Sequence, residues 1–197
     1  MIKIKKLVLS GFKSFAKHTE LIFGDDFNVV LGPNGSGKSN VLDAMCFVLG
    51  RMSSKSLRAD KLSHLIYNGG KLKQPASKAE VAVVFDNSSK VFPFPDDEVR
   101  LSRIVKPTGN SVYRINNKKA TRQEIIELLS AARIDPEGYN IVLQGDVTRF
   151  VEMSPEDRRQ TIEEIAGISV YEDKKEKALS ELEKVGERVK EAEILLT

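Results

Sequence analysis

The segment Gly32-Pro33-Asn34-Gly35-Ser36-Gly37-Lys38-Ser39 constrains the fold more than any other stretch of the chain. It satisfies the phosphate-loop pattern G-x-x-x-x-G-K-[ST]. A triphosphate is a dense polyanion, and backbone N–H groups must converge on it with no side chain in the way. Gly35 and Gly37 permit that approach, and the N-terminus of a following helix adds a positive dipole end. The flanks agree with this reading. "FNVVLG" reads as a short buried strand, and a helix is expected from Lys38 to Leu49, stopped by Gly50. Strand, glycine-rich loop and helix in that order predict an α/β fold of the phosphate-loop type. Lys38 would span the β- and γ-phosphates and the Ser39 hydroxyl would ligate Mg2+. No guanine-reading "NKxD" segment follows, which favours ATP over GTP.

Around this centre the chain divides into strand-rich and helix-rich parts. "IKIKKLVLSGF" reads as an alternating strand. Turn signals at Gly24–Asp26 predict a hairpin of strands 20–23 and 27–31. "AEVAVVFDN", "VRLSRIVK" and "SVYRIN" predict an antiparallel sheet over 79–116, broken by the two prolines of "FPFPDDE". Thr121 should cap a helix with Glu124 completing a capping box, and "NIVLQG" predicts a short strand reaching Gln144. Ser154, Pro155 and Asp157 then open a helix expected to stop at Gly167. Ala178, Leu182, Val185, Val189, Ala192 and Leu196 are spaced 4, 3, 4, 3, 4, the a/d rhythm of a coiled coil. The rhythm is still running at Thr197, as in a segment of a longer coil. These signals predict a lobe over 1–153 and a helical neck with the beginning of a coil over 154–197.

Charge follows the same division. Residues 154–197 carry 8 Lys/Arg against 12 Asp/Glu, a net −4, and the remainder carries a net +7. The basic charge concentrates in 51–78, read as a loop, where Arg51, Lys55, Arg58, Lys61, Lys71, Lys73 and Lys78 meet only Asp60. With "RINNKKATR" this run suits contact with DNA phosphates, which would be independent of sequence and weakened by salt. Apolar runs are too short to span a membrane. The N-terminus lacks the long apolar core and cleavage site of a signal peptide, so a cytoplasmic location is expected. The single cysteine, Cys46, lies among apolar neighbours and should be buried. His18 and His64 stand far apart with no cysteine partners, which argues against zinc.

ATP hydrolysis also needs an acid on Mg2+ and a group that polarises the attacking water. Asp86, after "VAVVF", is a weak candidate for the acid, because Asn87 occupies the place of the base and a hairpin strand explains the run better.

Taken in order, "GFKSF", "GPNGSGKSNVLDA", "VLQGDV" and "SPEDRRQTIEEIAGI" resemble the SMC (structural maintenance of chromosomes) family over residues 2–197. The match is to the N-terminal half of its ATPase head. The resemblance implies an ABC-type phosphate-loop ATPase fold: an N-terminal lobe with an antiparallel β subdomain and the start of a coiled coil. It implies that the signature motif, the Mg2+-binding Asp, the catalytic Glu and a switch histidine belong to a C-terminal half joined through a long coil. It places Lys13, Ser14, Phe15, Pro33, Asn34, Gly35, Ser36, Gly37, Lys38, Ser39, Asn40 and His64 at the nucleotide. Ser39 and Gln144 would be at Mg2+, with Lys38, Gln144 and Arg58 in catalysis. Arg51, Lys55, Arg58, Lys61, Lys118 and Lys119 are the DNA candidates. The implied partners are the C-terminal head half, a second head across sandwiched ATP, DNA and accessory kleisin-type subunits, in a chromosome- or nucleoid-associated role without a membrane. Two other readings stay open: the head half of a double-strand-break repair ATPase, and a non-hydrolysing nucleotide-binding interaction module.

Overall fold

A computed structural model describes residues 2–51, 57–70, 74–134, 141–142, 151–165, 175 and 178–189. The chain forms two compact units, Met1–Ile141 and Val142–Thr197.

The first unit is organised by β1 (Ile4–Ser10). Leu7, Val8 and Leu9 are all buried. Successive strand residues point to opposite faces, so β1 is covered on both sides along this half. β2 (Thr19–Ile22) pairs antiparallel with one edge of β1, Leu9 opposite Thr19 and Lys6 opposite Ile22. β3 (Ala79–Asp86) pairs with the other edge, Ser10 opposite Glu80 and Ile4 opposite Phe85. The sheet continues through β4 (Glu98–Val105), β5 (Ser111–Ile115) and β6 (Lys118–Ala120) in the order β2-β1-β3-β4-β5-β6, antiparallel throughout. The three strands expected over 79–116 therefore form with the predicted pairing. β6 was not foreseen. Ile115 pairs with Lys118 across Asn116–Asn117, both at positive φ (45° and 70°). That is the geometry of a type I′ hairpin turn, which asparagine tolerates better than most residues.

The hairpin expected between 20–23 and 27–31 does not form. Thr19–Ile22 returns along β1, and Phe27–Leu31 is not a strand. The side chain of Asn28 explains the local path. It accepts from the Gly24 N–H at 2.8 Å and donates to the Gly24 carbonyl at 3.2 Å, closing a loop where the hairpin would have turned. A strand also needs a second backbone to meet its polar groups, and none of the described residues pairs with this segment. Its apolar side chains stay exposed: Phe27 90%, Val29 59%, Val30 49% and Leu31 85%.

Helix α1 (Lys38–Val48) packs across β3 and β4, burying Ala44, Cys46, Phe47 and Val48. Phe47 meets Phe12 with ring centroids 5.5 Å apart. The end of α1 is tied to the sheet by Arg103 of β4, itself only 3% exposed. Its guanidinium donates to the carbonyls of Phe47 and Arg51, both at 3.0 Å, and lies between the rings of Phe47 and Tyr113. Burial pushes the pKa of Arg103 down, and carbonyl acceptors and ring faces replace the lost hydration. Helix α2 (Arg122–Ala131) begins with the predicted capping box between Thr121 and Glu124.

In the second unit, α3 (Pro155–Ile165) starts as the sequence predicts. The Asp157 N–H donates to Ser154 Oγ at 3.1 Å and Pro155 occupies the first helical position. The stop expected at Gly167 lies outside the described residues. Residues 178–189 are helical, and the a/d residues Leu182, Val185 and Val189 are exposed along them, as a coil seam awaiting a second helix would be. Ala192 and Leu196 lie outside the described residues.

Candidate nucleotide-binding site

The phosphate loop runs from Gly32 into α1. Gly35 and Gly37 hold φ of 80° and 94°, a left-handed backbone that glycine alone adopts freely. Gly37 is the N-cap of α1, so no side chain caps the helix, and no acidic residue stands in its first turn. α2 and α3, by contrast, spend a hydroxyl on this position. The N–H groups and dipole of α1 thus remain directed at whatever lies before the loop, the arrangement an anion requires. Lys38 Nζ curls over the loop and donates to the carbonyls of Gly32 and Pro33, at 2.5 and 2.7 Å. Ser39 is exposed on the first turn. The donor set suits a polyphosphate, and the Ser39 hydroxyl suits a hard cation that accompanies one.

A second element meets the loop from β1. Phe12 and Phe15 exchange backbone hydrogen bonds at 3.1 and 2.7 Å, which makes Lys13–Ser14 the tip of a tight turn. Gly11 before it has φ 61°, and a Cβ there would stand 2.3 Å from the Lys78 carbonyl, so only glycine fits. Ser14 Oγ accepts from Asn40 Nδ2 at 2.9 Å, which ties the turn to α1. The Lys13 N–H donates to the Leu65 carbonyl at 2.7 Å and joins the turn to the 62–65 region, a single 3-10 turn inside what the sequence presents as loop.

Three charged side chains converge beside this junction. Asp43, on α1, is buried at 3% side-chain exposure. It accepts from Lys13 Nζ at 2.5 Å, and from Nη2 and Nε of Arg58 at 2.5 and 3.3 Å. Lys13 Nζ also donates to the Leu57 carbonyl at 2.6 Å. Lys13, which the family resemblance places at the nucleotide, and Arg58, which it places in catalysis, are therefore brought together, and Asp43 is what joins them. Sequence reasoning missed Asp43. The available signal was a lone acid in the apolar run "VLDAMCFV".

The remaining candidates are spread more widely. His64 is half-exposed, with Nδ1 3.8 Å from Asp60. Lys61 is exposed before the 3-10 turn, while Lys118 and Lys119 are exposed on β6. β6 lies four strand spacings from β1, about 19 Å across the sheet. Arg51 is buried at 8% exposure, its carbonyl taken by Arg103, so it departs from the exposed set to which the sequence assigns it. Gln144, with the strand expected at 140–145 apart from Ile141 and Val142, and Lys55 lie outside the described residues. Asp86 ends β3 beside Lys3, whereas the turn at Lys13–Ser14 follows the opposite end of the paired β1. Six residues of extended strand, about 20 Å, separate it from Glu80 at the end nearer that turn. The Asp86 carboxylate accepts the Ser88 N–H, and this bond holds its pKa below the ordinary aspartate value. Asp86 is thus a strand-end residue, remote from the phosphate loop.

Comparison with known proteins identifies the family. Residues 3–186 match the model of the RecF/RecN/SMC N terminal domain. The chromosome partition protein Smc of Pyrococcus furiosus is 49% identical over 194 residues, covering 98% of this chain and 16% of that protein. A crystal structure of the Smc head domain with an extended coiled coil, bound to the C-terminal domain of ScpA and derived from Pyrococcus furiosus, superposes with a TM-score of 0.85 at 49% identity. It covers 99% of this chain, which in turn spans 49% of that one. A structure from work on ATP-driven dimerization and DNA-stimulated activation of SMC ATPases gives a TM-score of 0.77 at 49% identity, covering 82% of this chain and 98% of that one. With the phosphate loop, the turn clamped to it and the exposed heptad seam all in place, the chain belongs to the SMC family, as the N-terminal half of its ABC-type ATPase head.

Proposed function

We propose that this chain binds Mg2+-ATP and is completed as an ATPase by the C-terminal half of the same head. The observation that carries the reading is the segment entering the phosphate loop. Phe27, Val29, Val30 and Leu31 are apolar, exposed and unpaired among the described residues. A buried apolar strand in this position is what a phosphate loop ordinarily follows. The C-terminal half would pair with this segment and bury it, and it would bring the Mg2+-binding acid and the catalytic base.

Within this chain the loop N–H groups and Lys38 would receive the phosphates. Ser39 would contact Mg2+, which supplies charge neutralisation at the β- and γ-phosphates. Arg58 would offset negative charge that develops on the transferred group. Gln144 would orient the attacking water, Lys13, Ser14 and Phe15 would flank the nucleotide, and His64 is the candidate beside the base. Two such heads would close on sandwiched ATP and separate after hydrolysis, passing the motion to the coil. Related heads in ATP-driven dimerization and bound to ScpA support this reading. A kleisin-type subunit is the corresponding accessory partner. Arg58, Lys61, Lys118 and Lys119 would meet DNA phosphates in a cytoplasmic, chromosome-associated role in chromosome condensation and segregation.

The test is Mg2+-ATP turnover by residues 1–197 alone and after mixing with the C-terminal head half. Little turnover alone, activity on mixing, and loss of that activity with Lys38→Ala are the expected results. Robust turnover by the chain alone would overturn the split-site reading.

A further inference from the structure

Asp43 is the only buried carboxylate among the described residues, and it serves two cations at once. We propose that Asp43 is a positioning residue of the nucleotide site, which holds Lys13 and Arg58 beside the phosphate loop so that Arg58 is presented to the nucleotide as a preset cation. The inference rests on the reading of this loop as an ATP site.

Placement supports it first. Asp43 lies four residues beyond Ser39, so the two occupy one face of α1 a single turn apart. Lys13 adjoins Ser14, which is itself bonded to Asn40 in the first turn of α1. The Leu57 carbonyl that receives Lys13 directly precedes Arg58. Asp43, Lys13 and the 57–58 segment therefore close on one another immediately behind the loop.

Charge and exposure then separate the roles of the two cations. Lys13 is only 13% exposed and is used up between Asp43 and a carbonyl. Its charge balances the buried carboxylate. Arg58 is 47% exposed and engages Asp43 through its Nε–Nη2 edge alone. One carboxylate against two cations leaves a net charge of +1, and that surplus resides on the member that reaches solvent. A guanidinium braced along one edge keeps further N–H donors in a fixed plane, the form suited to a phosphate oxygen.

Backbone strain points the same way. Lys13 has φ 46° and Arg58 has φ 51°, left-handed values unfavourable for residues with a Cβ. Such conformations persist where the surroundings over-determine them, and they cluster at ligand sites. Both strained residues end on the same carboxylate.

The test is a double-mutant cycle read by the Kd of a fluorescent ATP analogue, on the full chain combined with the C-terminal head half, with melting temperatures measured in parallel. Asp43→Asn and Arg58→Ala should each raise Kd about tenfold, and the double variant should be no weaker than the poorer single. A double variant about a hundredfold weaker, or Asp43→Asn lowering the melting temperature with Kd unchanged, would reduce Asp43 to a structural ion pair and overturn the proposal. Where Asp43→Asn fails to fold, Asp43→Glu keeps the charge, displaces it by one methylene and carries the same cycle. Lys38→Ala separates the two levels. Analogue binding that survives it overturns the ATP-site reading itself, whereas loss of binding with an additive cycle overturns only the role of Asp43.

Discussion

The Ser14 hydroxyl accepts a hydrogen bond from the Asn40 side chain at 2.9 Å, so the turn after β1 is fastened to the first turn of the phosphate-loop helix. The same oxygen stands 2.7 Å from where a Cβ on Gly37 would lie. The loop is therefore shaped from outside its own sequence, by a residue 26 positions from Asn40.

Gly37→Ala should damage nucleotide binding more than folding. The alanine methyl meets Ser14, and a φ of 94° is unfavourable for any residue with a Cβ. Left-handed strain costs about 1–2 kcal/mol, and relief by rotating the loop would misdirect its N–H groups. Titration with a fluorescent ATP analogue should show at least a tenfold loss, since about 1.4 kcal/mol is one factor of ten. Adding Ser14→Gly, which clears the space, should recover only the steric part.

Arg103→Ala should destabilise the first unit by about 3 kcal/mol, because it removes charged hydrogen bonds to the carbonyls of Phe47, in the last turn of α1, and of Arg51 just past it, together with both ring contacts. Arg103→Lys should restore little of this, since an ammonium cannot fill a flat slot between two rings. Urea unfolding of the three proteins measures the difference. Equal stability of Arg103→Ala and the parent would refute the anchoring role.

Leu31→Asp should leave the stability of the chain within about 0.5 kcal/mol, because the side chain is 85% exposed. It should nevertheless abolish pairing with the C-terminal head half, where the proposed interface would bury the new charge. Co-elution by size exclusion reads the outcome. Normal pairing would show that 27–31 lies outside the interface.

The capping box should give α2 a measurable acid sensitivity. The Thr121 N–H, followed by its hydroxyl, bonds the Glu124 carboxylate and holds its pKa below the ordinary glutamate value of 4.5. A carboxylate with a depressed folded pKa contributes stability that is present above the unfolded value and is lost as pH falls through the folded one. Amide protection in the first turn of α2 should therefore decline below about pH 4.5. Glu124→Gln should flatten that decline, and an unchanged profile would count against the carboxylate as its source.

Much of the architecture was legible in advance, and the failures have two causes, a missing local pattern and a missing tertiary neighbour. The caps at Thr121 and Ser154 involve residues three positions apart. The strands at β3, β4 and β5 carry their own apolar patterns. The β5–β6 hairpin escaped notice because "KKA" has no apolar pattern, although Asn116–Asn117 carried the turn signal. Phe27–Leu31 has the composition of a buried strand, yet composition cannot supply the neighbouring backbone that makes one. Arg51 reads as one more member of a basic run, and only the packing around the end of α1 places it inside.

The sequence by itself determined the phosphate loop, its helix and the caps of α2 and α3. Each depends on bonds and backbone preferences that span a few residues and survive in almost any surroundings. Tertiary structure alone decided that β1 would carry strands on both edges, that Arg103 would anchor α1, and that Lys13 and Arg58 would share Asp43. Those contacts join residues 10 to 81 positions apart. Their geometry is set when the sheet and α1 pack together, and no local pattern of residues encodes it.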